Sequence, residues 1–151
     1  MNDFEYRLLT KAINSSIHLS SEEKRSFVSL AHESSDSNQY KRTISRANAI
    51  NLLNHLQRNQ VQTYKYYQLK VRAKHYHGSM MWALGCIGQA CRDLDIPPLQ
   101  TVVINQGTAR PGDGCLFSDL EDKDLSELQK QCLEFNYDYK SILKHVIETI
   151  Y

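Results

Sequence analysis

The chain has 151 residues, a formal net charge of +1, 41% hydrophobic residues and a mean hydropathy of −0.53. That length fits one ordinary domain with a real core, and no apolar run reaches the ~18 residues a membrane-spanning helix needs. The opening MNDFEYRLLTKAIN is charged and amphipathic and is not a secretory signal, so a cytoplasmic location with reduced cysteines is expected.

In chain order, DFEYRLLTKAI places Phe4, Leu8, Leu9, Ala12 and Ile13 on one helical face. NSSIHLSSEEKRSFVSLAH restarts a helix, with Ser20 or Ser21 as N-cap and Glu22 and Glu23 at the positive end of its dipole. These two helices form an expected N-terminal hairpin over 1–36, followed by a polar linker at 37–44. SRANAINLLNHLQRN then carries Ala47, Ile50, Leu53 and Leu56 at helical spacing, with Ser45 as a cap. QVQT is a break or a stub of strand. TYKYYQLKVRAKHY reads as a helix capped by Thr63, with Tyr67 and Val71 inward and its bases outward.

GSMMWALGCIGQACRDL is a strongly apolar helix with Gly85 and Gly88 at a packing face, stopped by Asp95-Ile96-Pro97-Pro98. Its Met80-Met81-Trp82 cluster is either a partner surface or, more simply, core, with Trp82 burying the most area of any side chain; an exposed apolar patch near Met80 would favour a protein partner. LQTVVIN is the one convincing strand, by its contiguous Val102, Val103 and Ile104. QGTARPGDG is a turn. DLEDKDLSELQKQCLEF is an acidic helix with Leu120, Leu125, Leu128 and Leu133 as its apolar face, and YKSILKHVIETIY is a final amphipathic helix. The class is mainly α with a small β element, and 45–151 is expected to form the principal domain.

The near-neutral total hides a segregation of charge. From Ser37 to Arg92 there is no Asp or Glu, while nine Lys or Arg occur: Lys41, Arg42, Arg46, Arg58, Lys65, Lys70, Arg72, Lys74 and Arg92. Before this block four bases stand against six acids, and after it five against eleven. Interleaved with Tyr40, Tyr64, Tyr66, Tyr67 and Tyr76, the block has what a polyanion surface needs: cations that neutralise phosphates and release counterions, and flat rings for bases and sugars. Read blandly, it is a solvated basic face, since net charge alone only favours association.

The middle of the chain thus runs short strand, helix, apolar helix, proline stop, strand, Gly-rich turn. That is the order of a winged helix, in which the second helix of a helix-turn-helix enters the major groove. Here that helix starts near His77-Gly78-Ser79, with Arg72, Lys74, His75 and His77 facing DNA. Thr63-Tyr64, then Gly78-Ser79-Met80-Met81-Trp82-Ala83-Leu84-Gly85, Ile96-Pro97, Val102-Val103 and Gly107 resemble the DNA-binding domain of alkylguanine-DNA alkyltransferases and their alkyltransferase-like relatives over roughly residues 45 to 114. The resemblance implies the scaffold, with Tyr64 positioning a phosphate. It does not imply the reaction. Where that family carries Cys-His-Arg after its proline, this chain has Pro98-Leu99-Gln100, with no thiol and no base beside it. IPPLQTVVINQGTARPGDG and LEFNYDY also resemble an uncharacterised bacterial and phage domain. That likeness implies no activity, but suggests that 45–139 form one unit.

Other chemistry has little to build on. Cys86 and Cys91, five apart, do not share a helical face, Cys115 and Cys132 are isolated, and neither a metal site nor a cofactor is expected. His55, His75 and His77 with Tyr64 and Lys74 would suit a metal-independent ribonuclease if they converged. The Gly-rich turn lacks the GKS or GKT of a P-loop. As a wing, it carries Arg110 to a minor groove or a phosphate. The acids from Asp119 to Asp124 either complement a helix dipole or dock on the basic middle of a second copy, giving a homodimer.

The expectation is therefore a non-enzymatic nucleic-acid-binding, regulatory protein, with DNA preferred over RNA. Arg72, Lys74, His75 and His77 lie at the recognition helix, Lys65 and Lys70 on phosphates, Tyr64 positions one, Arg110 sits on the wing, and Arg42 and Arg46 form an arm. The alternative is a protein-interaction module with an acidic partner, such as a phage or mobile-element inhibitor of a host nucleic-acid enzyme. The third reading is the ribonuclease.

Overall fold

Leu9, Ala12 and Ile13 recur at helical spacing and all three are buried, which gives α1 (Asp3–Asn14) a single inward face. The structure is a computed structural model that describes residues 3–17, 19–33, 40–58, 64–65, 80–104, 110–111, 120 and 122–149. Within these the fold is mostly helical. After α1 come α2 (Ser21–Glu33), α3 (Tyr40–Arg58), a strand β1 (Tyr64–Lys65), α4 (Met80–Asp93), a 3-10 turn (Leu99–Val102), a strand β2 (Val103–Ile104), α5 (Leu125–Glu134) and α6 (Tyr139–Glu148).

Sequence-local chemistry sets the helix ends. Ser20 and Glu23 form a reciprocal capping box: the Glu23 N–H donates to Ser20 Oγ at 3.1 Å, and the Ser20 N–H to Glu23 Oε1 at 3.2 Å. Asp124 Oδ1 accepts from the Ser126 N–H at 3.0 Å to start α5, and Asp138 Oδ1 accepts from the Ser141 N–H at 3.2 Å to start α6. Asp95 ends α4 in the left-handed region, at φ 53°. The N–H of Ile96 returns to Cys91 O at 3.0 Å and that of Asp95 to Arg92 O at 3.2 Å, the crossed pair of a Schellman closure.

The core centres on α3, which packs against α1, α4 and α6, while α2 packs on α1 and α6. Residues 45–50 of α3 are all buried, as are Leu52, Leu53, Asn54 and Leu56. A helix buried nearly all round needs partners for its polar groups. Asn54 Nδ2 donates to Ala12 O at 2.9 Å, and Arg46 Nε donates to Val146 O at 3.3 Å. Ala12 and Val146 lie in the last turns of α1 and α6, where carbonyls have no intrahelical donor. Two polar side chains of α3 thus close the C-terminal ends of two neighbours.

The Pro97-Pro98 turn after α4 is pinned from the C-terminal side. Tyr137 donates its hydroxyl to Pro97 O at 2.8 Å, Cys132 Sγ donates to Pro98 O at 3.3 Å, and Gln129 Nε2 donates to Thr101 O at 2.8 Å. The turn leads into β2, which pairs parallel with β1, Tyr64 opposite Val103 and Lys65 opposite Ile104. A parallel pair needs a long crossover, and α4 lies within it.

Several expectations are corrected. α3 begins at Tyr40, so 40–44 are helical and not linker, and Ser45 is a buried interior residue of that helix and not its cap. The N-terminal hairpin contributes Leu9, Ala12, Ile13, Phe27 and Ala31 to the same core cluster as α3, α4 and α6. Tyr64 and Lys65 form a strand and not the start of a helix. The strand read over LQTVVIN shrinks to Val103–Ile104, because Leu99–Val102 wind into a 3-10 turn. On α5 the inward residues are Leu128 and Cys132, while Leu133 is exposed. Phe4, expected on the inner face of α1, is exposed. The expected helix over 66–76, the residues 34–39 and most of the Gly-rich turn lie outside the described residues.

Candidate nucleic-acid interface

Arg46 is the clearest departure from expectation. Its side chain is 3% exposed, held at Val146 O, with Nη2 buried and without a hydrogen-bond partner among the described residues. Burial lowers its pKa from the ordinary arginine value, and the neighbouring Cys86 opposes that shift. A guanidinium still holds its proton under any ordinary condition. What it meets is the negative end of α6, a favourable place for a cation. A buried guanidinium does not reach a phosphate in solvent, so Arg46 belongs to the core and not to a nucleic-acid arm.

The other expected site residues divide into two groups. Arg42 has its backbone in α3, Tyr64 and Lys65 theirs in β1, and Arg110 is exposed beside Pro111. Lys70, Arg72, Lys74, His75 and His77 lie outside the described residues, as do Gly107 and Cys115. The convergence of His75, His77 and Tyr64 that a ribonuclease needs falls there too.

The structure adds a residue that the sequence reading put inside. Trp82, in the first turn of α4, is 68% exposed. The cause is the helical period: Ala83, Leu84, Ile87, Ala90 and Cys91 are buried and fix the inner face, which turns positions 82, 85 and 89 away from it. Gly88 is buried, whereas Gly85 is on the open side, where an added Cβ would meet nothing within 4 Å, so Gly85 does not serve the packing expected of it. The period alone was enough to find Trp82, but its size argued for the core.

The far end of α4 is built for rigidity. His145 Nε2 and Asp93 Oδ2 lie 2.9 Å apart and join α6 to α4, and Gln89 Nε2 donates to Asp93 Oδ1 at 2.9 Å. Trp82 is thus displayed at one end of a helix anchored at the other.

Neither Cys91 nor Cys132 is a primed nucleophile. Cys86, Cys91 and Cys132 are buried and form no disulfide. Burial pushes the Cys91 thiol up to about 12 and raises Cys132, so both stay protonated and unreactive at neutral pH. Among the described residues no cluster of His, Cys, Asp or Glu has the makings of a metal site, and no helix is long and apolar enough to cross a membrane. No family model, curated protein or solved structure matches the chain.

Proposed function

We propose that this chain is a non-enzymatic nucleic-acid-binding protein of regulatory type, acting in the cytoplasm, with DNA its preferred polymer. The observation that carries the reading is the carboxylate-free block from Ser37 to Arg92 with its nine bases and interleaved tyrosines. Such a block attracts phosphates wherever its side chains project, and with no acid inside it there is no internal neutralisation. Trp82 supports the reading: an exposed indole in the first turn of a helix that directly follows Arg72, Lys74, His75 and His77 suits stacking on an unpaired base or wedging at a base step. In this reading Lys65, Lys70, Arg72 and Lys74 meet phosphates, Tyr64 positions one, His75 and His77 flank the helix start, and Arg42 and Arg110 contribute from outside. Arg46 is withdrawn from the set because it is buried. A winged-helix arrangement of this segment is part of the same proposal.

A second reading draws on the same indole. An exposed Trp beside Met80 and Met81 is also what a protein-docking hot spot looks like, and an acidic partner would suit the basic surroundings.

The test is fluorescence anisotropy of labelled duplex DNA, single-stranded DNA and RNA, titrated with the protein at two salt concentrations. Nucleic-acid binding predicts micromolar or tighter association that weakens steeply with salt and is lost in the Lys70→Glu plus Arg72→Glu variant. Absence of binding at low salt with all three polymers would sink it and turn attention to an acidic protein partner.

A further inference from the structure

The hairpin of α1 and α2 carries a groove with a chemistry of its own, independent of the basic middle. The two helices leave between them a groove of about 740 Å³, a size typical of small-ligand sites. Tyr6, Thr10 and Asn14 line it from α1 at intervals of four residues, and Lys24, Arg25 and His32 line it from α2. No carboxylate lines it among the described residues.

That absence is a product of how α2 sorts its charges, because the N-terminal segment as a whole is acidic. The groove on the opposite flank of α2, against α6, is lined by Glu23 and Glu33 with Lys140 and Lys144. Glu23 pairs there with Lys140 and closes the capping box with Ser20, and Glu33 accepts from Ser29 Oγ at 3.1 Å. Glu23 and Glu33 are therefore engaged on one flank, while Glu22 is exposed in the first turn and lines neither groove. Lys24 and Arg25 project on the other, and neither forms an ion pair among the described residues. Two adjacent cations outside any ion pair among the described residues, over a floor of polar side chains, are a receptor for an anion.

Two further observations refine the ligand. The Tyr6 and His32 rings meet edge to face with centroids 5.6 Å apart, and both residues are exposed at the groove, Tyr6 by 39%. They offer flat faces to a heterocycle. The Thr10 hydroxyl oxygen is shut off from solvent and has no hydrogen-bond partner among the described residues, where a helical threonine would ordinarily bond a carbonyl one turn back.

We infer that the α1–α2 groove binds a nucleotide, its phosphate on Lys24 and Arg25 and its base against Tyr6 and His32. The nucleotide comes either from free nucleoside phosphates or from a single-stranded stretch of nucleic acid, and the two share this chemistry.

The test is calorimetric titration of the full chain with ATP and, separately, with an oligo-dT single strand. At least one should saturate. The Lys24→Gln plus Arg25→Gln variant should weaken it by about tenfold or more, as expected when two charge-assisted contacts are lost, and Tyr6→Ala should weaken it as well. These side chains reach into an open groove, and circular dichroism melting checks that the variants stay folded. ATP saturation identifies free nucleotide as the source, and saturation by the strand alone identifies nucleic acid. The Lys70→Glu plus Arg72→Glu variant separates this site from the basic middle. If it leaves groove binding intact, the groove stands whatever becomes of the middle. Strand binding that survives Lys24→Gln plus Arg25→Gln but is lost in Lys70→Glu plus Arg72→Glu overturns the groove and leaves the middle standing. Failure of both ligands to bind the native chain also overturns it.

Discussion

Helices α3 and α4 pack against each other, yet they treat their least typical residues in opposite ways. α3 takes a guanidinium out of the most basic stretch of the chain and buries it. α4 takes the single tryptophan from the middle of an apolar run and leaves it in solvent. Residue type predicts neither outcome. Position on the helix and the needs of the neighbour predict both. Arg46 is inside because α6 ends against it with a carbonyl to satisfy, and Trp82 is outside because five smaller residues have already taken the inner face.

The comparison breaks most readily at Arg46. Arg46→Ala removes the donor to Val146 O and opens a cavity, and should destabilise the protein by about 2–4 kcal/mol, read by urea unfolding. Arg46→Met refills much of that volume without the charge and should cost clearly less. If Arg46→Ala instead leaves the unfolding midpoint unchanged and only lowers affinity for nucleic acid, the side chain is on the surface and the comparison fails.

Trp82→Ala should do the reverse. It should change unfolding free energy by no more than about 0.5 kcal/mol, as surface substitutions do. It should weaken single-strand binding by about 1–3 kcal/mol, the range for loss of one stacked aromatic. A large loss of stability would place the indole in the core after all.

Gly85→Ala sharpens the contrast within α4. An added methyl meets nothing there, and removing a mid-helix glycine should raise stability by about 0.5–1 kcal/mol in thermal melts. The equivalent change at buried Gly88 should not share that gain.

The smallest effect concerns the flanks of α2 and α6. The hydrogen bond from Lys140, and then that from the Ser20 backbone, holds the Glu23 carboxyl below its ordinary value, and the Ser141 hydroxyl and then its N–H do the same for Asp138. Groups with depressed folded pKa values bind more protons when unfolded as pH falls. Their stabilisation is present above the unfolded values of about 4 and is lost as pH drops through the lower folded values. Acid melts should show this decline. Asp138→Asn should flatten it slightly, and a decline as steep as in the native chain would contradict the assignment.

What could be read from the sequence was what depends on neighbours in sequence. The serine cap of α2, the stop of α4 before Asp95-Ile96-Pro97-Pro98 and the inner face of α1 at Leu9, Ala12 and Ile13 all follow from spacings of a few residues. The α3 start was displaced because Ser45 has the chemistry of a cap, while the helix had already begun at Tyr40. Arg46 could not be read at all, because its acceptor lies 100 residues away. Phe4 and Leu133 fit their helical periods, yet both are exposed. The charge sorting on α2 is also invisible in one dimension: Glu23, Lys24 and Arg25 are consecutive, and only the packing of α1 on one side and α6 on the other separates them. Of the candidate interface, the charge block was legible, and the display of Trp82 was carried by the helical period but masked by the size of the side chain.

Because Trp82 is the only tryptophan, its own fluorescence tests the central claim most directly. Free protein should emit like a solvated indole and be quenched readily by iodide. Titration with single-stranded DNA should shift that emission to the blue and shield it from iodide, and added salt should reverse the change. An indole shielded from iodide in the free protein, or an emission that no nucleic acid alters at low salt, would contradict the account.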